Sequence, residues 1–117
     1  MNTATTALDK IIQKAKAIRP IEAVLPSEKA WNISIKVLHV LALQNFLPKD
    51  FGPCVDEGVE IRYLETGRLV TLGFYNTEEM VYLTRVNKEN SFAVDFKEEH
   101  LDFVLDEALS FLKDAAG

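Results

Sequence analysis

Val59-Glu60-Ile61-Arg62-Tyr63-Leu64-Glu65-Thr66-Gly67-Arg68-Leu69-Val70-Thr71-Leu72-Gly73-Phe74 is the stretch that decides the fold. Val59, Ile61 and Tyr63 alternate with Glu60 and Arg62; Val70, Leu72 and Phe74 alternate with Thr71 and Gly73. A period of two marks a strand with one buried face. A two-residue turn at Thr66-Gly67 sets Tyr63 opposite Val70, Ile61 opposite Leu72 and Val59 opposite Phe74. Each apolar pair then shares a face, so pattern and turn agree on register.

Downstream, Met80–Val86 reads as a third strand and Ser91–Phe96 as a fourth, joined by the short polar links Asn76–Glu79 and Asn87–Asn90. Short links favour an antiparallel meander. Upstream, the run PKDFGPCVDEG from Pro48 to Gly58 holds two prolines and two glycines and reads as turn.

Helical periodicity takes over outside this block. Leu8, Ile11, Ile12, Ala15 and Ile18 form one stripe of a first helix, expected from about Thr6 with Asp9 as its capping partner, and stopped by Arg19-Pro20. Ser27 is placed to cap a second helix from Glu28 to Asn45. That helix is apolar almost all round, with a polar stripe of Lys29, Asn32, Lys36 and His39, so it is expected to be buried on most sides, by its own chain or by a second subunit. Leu101, Val104, Leu105, Ala108 and Leu112 mark a last helix from Lys97 to Ala115, with Glu98, Glu99 and Asp102 at its start, where the helix dipole favours anions.

The fold class expected is therefore α+β: two N-terminal helices, a four-stranded antiparallel β-meander and a C-terminal helix packed on one sheet face. The whole chain, 1–117, reads as one domain. The expected core is Trp31, Ile35, Leu38, Leu41, Ile61, Leu72, Phe74, Leu83, Val94, Leu101, Val104, Leu105 and Leu112.

Composition narrows the function. The 117 residues carry a net charge of −5 and are 48% hydrophobic, enough for one core and too apolar for wholesale disorder. Residues 1–50 hold seven basic and four acidic side chains, whereas residues 51–117 hold six and fourteen. Such asymmetry fits a solvated basic helix and a solvated acidic one, or a polar contact between subunits. A sequence pI near 5.0 argues against nucleic acid, which needs a concentrated basic footprint. No apolar run approaches the roughly 18 to 20 residues of a membrane span, and MNTATTALDK lacks the basic and apolar regions of a signal peptide. A cytoplasmic protein without membrane contact is expected.

Between Phe51 and Leu83, the segments Pro53-Cys54-Val55, Asp56-Glu57-Gly58, Ile61-Arg62-Tyr63, Gly67-Arg68 and Tyr82-Leu83 resemble a loose group of small bacterial proteins. In that group a helix leads through a Pro-x-Val-like loop and an Asp-Gly turn to a strand reading roughly Leu-Glu-Trp, then a Gly-Arg turn. Here Glu57 separates Asp56 from Gly58, Arg62 stands in place of Glu and Tyr63 in place of Trp. The resemblance implies a helix followed by a strand meander, and no activity.

The chemistry-bearing residues are dispersed. His39 and His100 are far apart in sequence, Cys54 is the one cysteine, and Glu98, Glu99 and His100 are neighbours on a helix that point in different directions. Neither a metal site nor a cofactor site is expected from these, and the five scattered glycines form no phosphate loop. No catalytic constellation is read, so an enzyme is not expected.

The outer sheet face is more informative. With Val81, Leu83, Phe92, Val94 and Phe96 turned inward beside the first hairpin, the outer face shows Arg62, Leu64, Leu69, Thr71, Tyr75, Met80, Tyr82, Thr84 and Val86. Solvated sheet faces are usually more polar, and Tyr, Met and Arg are favoured at interfaces. The candidate interface is Arg62, Leu69, Thr71, Tyr75, Met80, Tyr82 and Thr84. The expected function is a non-catalytic protein-interaction module, antitoxin-, immunity- or chaperone-like, acting as a homodimer with an unidentified protein partner. The alternative is a small-molecule-binding or catalytic domain with a pocket between sheet and helices, lined by Trp31, Tyr63 and Phe92.

Overall fold

In the computed structural model, which describes residues 3–18, 25–54, 57–86 and 89–116, three helices lie against one face of a five-stranded antiparallel sheet. In chain order the elements are α1 (Thr3–Ala17), α2 (Glu28–Ala42), β1 (Asp50–Cys54), β2 (Gly58–Glu65), β3 (Arg68–Tyr75), β4 (Met80–Val86), β5 (Glu89–Phe96), a 3-10 turn (Glu98–His100) and α3 (Leu101–Ala116). The strands follow one another across the sheet in sequence order. Among the described residues no helix is long and apolar enough to cross a membrane.

The hairpin of β2 and β3 has the register its pattern requires: Tyr63 opposite Val70, Ile61 opposite Leu72, Val59 opposite Phe74. Thr66 and Gly67 both hold positive φ, 44° and 79°, as a type I′ turn demands. All six side chains are almost wholly buried and form the floor of the core.

The meander has one strand more than the sequence reading expected. Asp50–Cys54, read as turn because of Gly52 and Pro53, pairs with β2 from Asp50 opposite Arg62 to Cys54 opposite Gly58. Proline costs a ladder hydrogen bond in a central strand but is tolerated at a sheet edge, which is where β1 lies. Phe51 shares the inner face with Ile61 and meets Trp31 edge-on, ring centroids 5.8 Å apart.

The phase of β4 is also corrected. Met80 pairs with Phe74, Tyr82 with Leu72 and Thr84 with Val70, so these three lie on the covered face and are buried, while Val81 and Leu83 lie on the outer face. The β3–β4 turn is responsible. Glu78 donates its backbone N–H to the Tyr75 carbonyl, and Tyr75 donates its own to the Glu79 carbonyl. Glu78 adopts the left-handed conformation at φ 72°. A three-residue loop closed in this way brings residue 80 opposite residue 74, and opposed residues share a face. Turn geometry thus overrides the greater apolarity of Val81 and Leu83.

The helices follow their stripes. The Ser27 hydroxyl accepts the Ala30 N–H at 3.1 Å and caps α2. At its far end Phe46 and Asn45 donate back to the Leu41 and Ala42 carbonyls, with Asn45 left-handed at φ 68°, a Schellman closure whose apolar partners Phe46 and Leu41 are both buried. α1 begins a turn earlier than expected, so Thr6 lies inside the helix and not at its cap. The stop read at Arg19-Pro20 falls outside the described residues. α1 packs on α2 and β1, burying Leu8 and Ala15. Within the chain Ala30, Ile33, Val37, Leu38, Leu41 and Ala42 of α2 are buried, while Trp31, Ile35 and Val40 are half-buried and Leu43, just past its end, is exposed. The α2 and α3 helices meet the sheet at β2 and β3, joined near one end by Lys29 to Glu98 at 3.4 Å and near the other by Lys113 to Gln44 at 3.0 Å.

Of the expected core, Leu38, Leu41, Ile61, Leu72, Phe74, Leu101, Val104, Leu105 and Leu112 are buried. Trp31 and Ile35 are half-buried at the helix margin. Leu83 belongs to the outer face, and Val94 is 40% exposed on β5, away from β2 and β3 where α2 and α3 pack.

Two substitutions check this packing. Leu105→Ala is expected to cost roughly 2 to 5 kcal/mol in urea unfolding, as for other buried leucines. Gly58→Ala would drive a methyl into the Phe74 carbonyl and to 2.7 Å from the Tyr75 Cα, all backbone, and is expected to cost about 1 to 3 kcal/mol.

Candidate functional site

Four of the seven candidate interface residues, Arg62, Leu69, Thr71 and Tyr75, lie together on the outer face. Met80, Tyr82 and Thr84 lie on the other side of the sheet and leave the set, for the turn reason given above. Val81, Leu83 and Arg85 take their places on β4. The signal that would have found them is a left-handed residue at Glu78, and nothing in Asn76-Thr77-Glu78 announces one.

The outer face is mixed in character. Leu64 is 44% exposed; Leu69, Thr71, Tyr75, Val81 and Leu83 are half-buried by their strand neighbours. Tyr75 lies back over Gly73 on its own strand, its hydroxyl 2.7 Å from where a Cβ would stand, so the ring covers the gap the glycine leaves. Arg62 reaches Glu60 at 3.5 Å on the same strand. α2 and α3 sit on the opposite face and α1 lies against α2 and β1; Ile18, just past α1, comes to 3.4 Å from where a Gly52 Cβ would stand, and since Gly52 is opposite Glu60 this contact reaches the outer face at the β1 edge.

The inner face is covered unevenly. The β5 side chains Phe92, Val94 and Phe96 point to it, opposite Thr84, Tyr82 and Met80. Yet Phe92 is 59% exposed, and on α3 Phe103 is 66% exposed. A groove of about 230 Å³ runs there, with Tyr82, Thr84 and Phe92 as its floor and Glu107, Ser110, Phe111 and Asp114 as its helical wall. Arg68 holds the wall residue Phe111, its guanidinium 4.9 Å from the centre of the Phe111 ring and donating to the Phe111 carbonyl at 3.2 Å.

A second hollow, about 550 Å³ and open to solvent, lies at the opposite end of the sheet beside Lys29, Glu78, Met80, Asp95, Phe96 and Glu98. Lys29 binds Glu78 at 2.6 Å there. Hydrogen bonds to Glu78 and Glu98 raise the Lys29 pKa, and Lys29 lowers that of Glu78. Both shifts hold the pair charged at neutral pH, the opposite of a group poised to exchange protons. The pocket imagined between Trp31, Tyr63 and Phe92 does not form: Trp31 packs on Phe51 of β1, Tyr63 is buried on β2 and Phe92 lies exposed on β5. Among the described residues no three His, Cys, Asp or Glu side chains gather to hold a metal ion; His100 lies exposed, 3.9 Å from Glu99.

Two tyrosines carry perturbed hydroxyls. Burial pushes Tyr63 well above the ordinary phenol range, and its hydroxyl finds no hydrogen-bond partner among the described residues. Tyr82 is pushed up to about 12 by burial and by the nearby Glu107 carboxylate. No family model, no curated protein and no solved structure matches the chain.

An unpartnered buried hydroxyl costs stability. Tyr63→Phe is expected to raise the unfolding free energy at pH 7 by about 1 kcal/mol. Both phenols hold their protons more tightly folded than unfolded, so stability is intact below about pH 10 and lost as pH rises through the folded values. Tyr63→Phe should therefore shift the midpoint of alkaline unfolding upward, read by far-UV circular dichroism.

Proposed function

We propose that this protein is a non-catalytic protein-interaction module of the cytoplasm, antitoxin-, immunity- or chaperone-like, that works as a homodimer joined through the outer face of its sheet. The observation that carries the reading is the placement of the helices. α1 spends its apolar stripe on α2 and β1, and α2 and α3 pack on the inner face, so the described helices pack away from Leu64, Leu69, Val81 and Leu83 on the outer face.

A second copy fits that face in size and charge. Five strands about 4.8 Å apart and five to eight residues long present roughly 600 Å² per subunit, or about 1,200 Å² for a pair, the lower bound of a stable interface. Arg62 and Arg85 share the face with Glu60 and Asp95, so a two-fold pairing can set opposite charges against each other at the rim.

Sedimentation at tens of micromolar is expected to show a dimer. Thr71→Arg, which puts a charge at the middle of the central strand, is expected to yield a folded monomer with an unchanged circular dichroism spectrum. A monomeric wild-type protein at that concentration would end this reading.

A further inference from the structure

β5 is the free edge of the sheet, and it is a long one, Glu89–Phe96, with no further strand beside it among the described residues. An edge strand presents a row of backbone donors and acceptors to any extended chain that approaches, and folded proteins usually blunt such edges with charge, proline or a covering helix. Here the described side chains run Ser91-Phe92-Ala93-Val94-Asp95-Phe96: the first five are exposed, there is no proline, and the one charge among them, Asp95, is turned to the outer face. The helix layer stops short of it, which leaves Phe92 59% and Val94 40% exposed on the inner side.

The wall above this edge has a definite chemistry. Phe103, Glu107 and Asp114 recur at i, i+4 and i+11, one side of α3, and Glu107 and Asp114 line the groove with Phe92. Between residues 91 and 114 there are seven carboxylates and two lysines. No cation is among the described residues that line the groove, and the nearby Arg68 is engaged with the ring and carbonyl of Phe111.

From these features we propose that the β5 edge and the α3 groove form a docking site for an extended, basic segment of a different protein, which adds as a sixth strand. The segment's backbone completes the ladder on β5. Its inward lysine or arginine stems lie across Phe92 and Val94 with their charged ends toward Glu107 and Asp114, and its outward positions take β-branched apolar residues beside Ser91 and Ala93. Charge decides between this occupant and a second copy. Two copies joined edge to edge would bring together two flanks in each of which carboxylates outnumber lysines seven to two, whereas a basic strand neutralises the flank it meets. The proposal rests on reading the chain as an interaction module and names the partner's chemistry.

The test is amide chemical-shift mapping of the 15N-labelled protein with a blocked octapeptide of alternating lysine and valine, against its glutamate–valine counterpart. The lysine peptide is expected to shift amides of residues 91–96 and 103–114 and to slow hydrogen exchange along β5; the glutamate peptide is expected to do neither. Glu107→Lys combined with Asp114→Lys, both exposed helix positions, should weaken the lysine peptide at least about tenfold and strengthen the glutamate peptide. Equal binding of the two peptides, no binding at millimolar peptide, or shifts confined to the outer face around Thr71 and Leu83 would overturn the proposal. So would β5 amides whose protection grows with protein concentration in the absence of peptide, since a second copy would then hold the edge. The Thr71→Arg sedimentation result is read on the other face, so failure of the dimer and failure of this docking site register separately.

Discussion

The positive φ of both Thr66 and Gly67 is the constraint on which the remaining structure depends. A two-residue turn of that hand matches the right-handed twist of its strands, so it fixes which residues of β2 and β3 face each other. Once Ile61 is opposite Leu72, the six apolar side chains of the hairpin point one way, and a slip by one residue would turn them all to water. β1 and β4 then pair onto an already polarised ribbon, and α2 and α3 settle where that ribbon is most apolar. The loop after β3 extends the control. Its Asn76 side chain accepts from the Ser27 N–H at 2.7 Å and donates to the Leu25 carbonyl at 3.0 Å, which ties the start of α2 to the end of the hairpin.

Coverage follows from widths. A helix is about 10 Å across and strands are about 4.8 Å apart, so two helices side by side cover about four strands. Centred on β2 and β3, they run out before β5. The third helix does not make up the difference, because α1 is committed to α2 and to the β1 edge at the far side. The exposed Phe92 and Val94 are a consequence of this count, and so is the bare outer face. Both surfaces follow from α2 and α3 packing on one side, at β2 and β3, with α1 kept to α2 and β1.

Local periodicity carried those parts of the fold that are specified locally. The hairpin register, the Ser27 cap and the stripes of α2 and α3 were legible because each is set by residues a few positions apart. β1 was hidden behind Gly52 and Pro53, which argue against a central strand and say nothing against an edge. The phase of β4 was hidden because the left-handed residue in its turn is Glu78, a residue type with no special claim to that conformation. That one turn exchanged Met80, Tyr82 and Thr84 for Val81, Leu83 and Arg85 on the outer face. Arg62, Leu69, Thr71 and Tyr75 kept their place because they belong to the hairpin whose register was fixed. The exposure of β5 had no local signal at all, since it depends on where helices distant in sequence come to rest.

The two bare surfaces differ in what they discourage. On the outer face arginines and carboxylates are interspersed, and a two-fold axis through Thr71 would bring unlike charges within reach, so self-association meets no electrostatic barrier there. On the β5 flank carboxylates outnumber lysines seven to two, and an edge-to-edge pairing of two copies would work against the repulsion of both acidic helices. Proteins commonly protect an edge by placing charge on the strand itself; here Asp95 lies on the outer side of β5, while beside the exposed inner residues Phe92 and Val94 the charge stands on the neighbouring helix. On the docking proposal above, that arrangement would disfavour a copy of the same chain while leaving the ladder open to a strand of opposite charge.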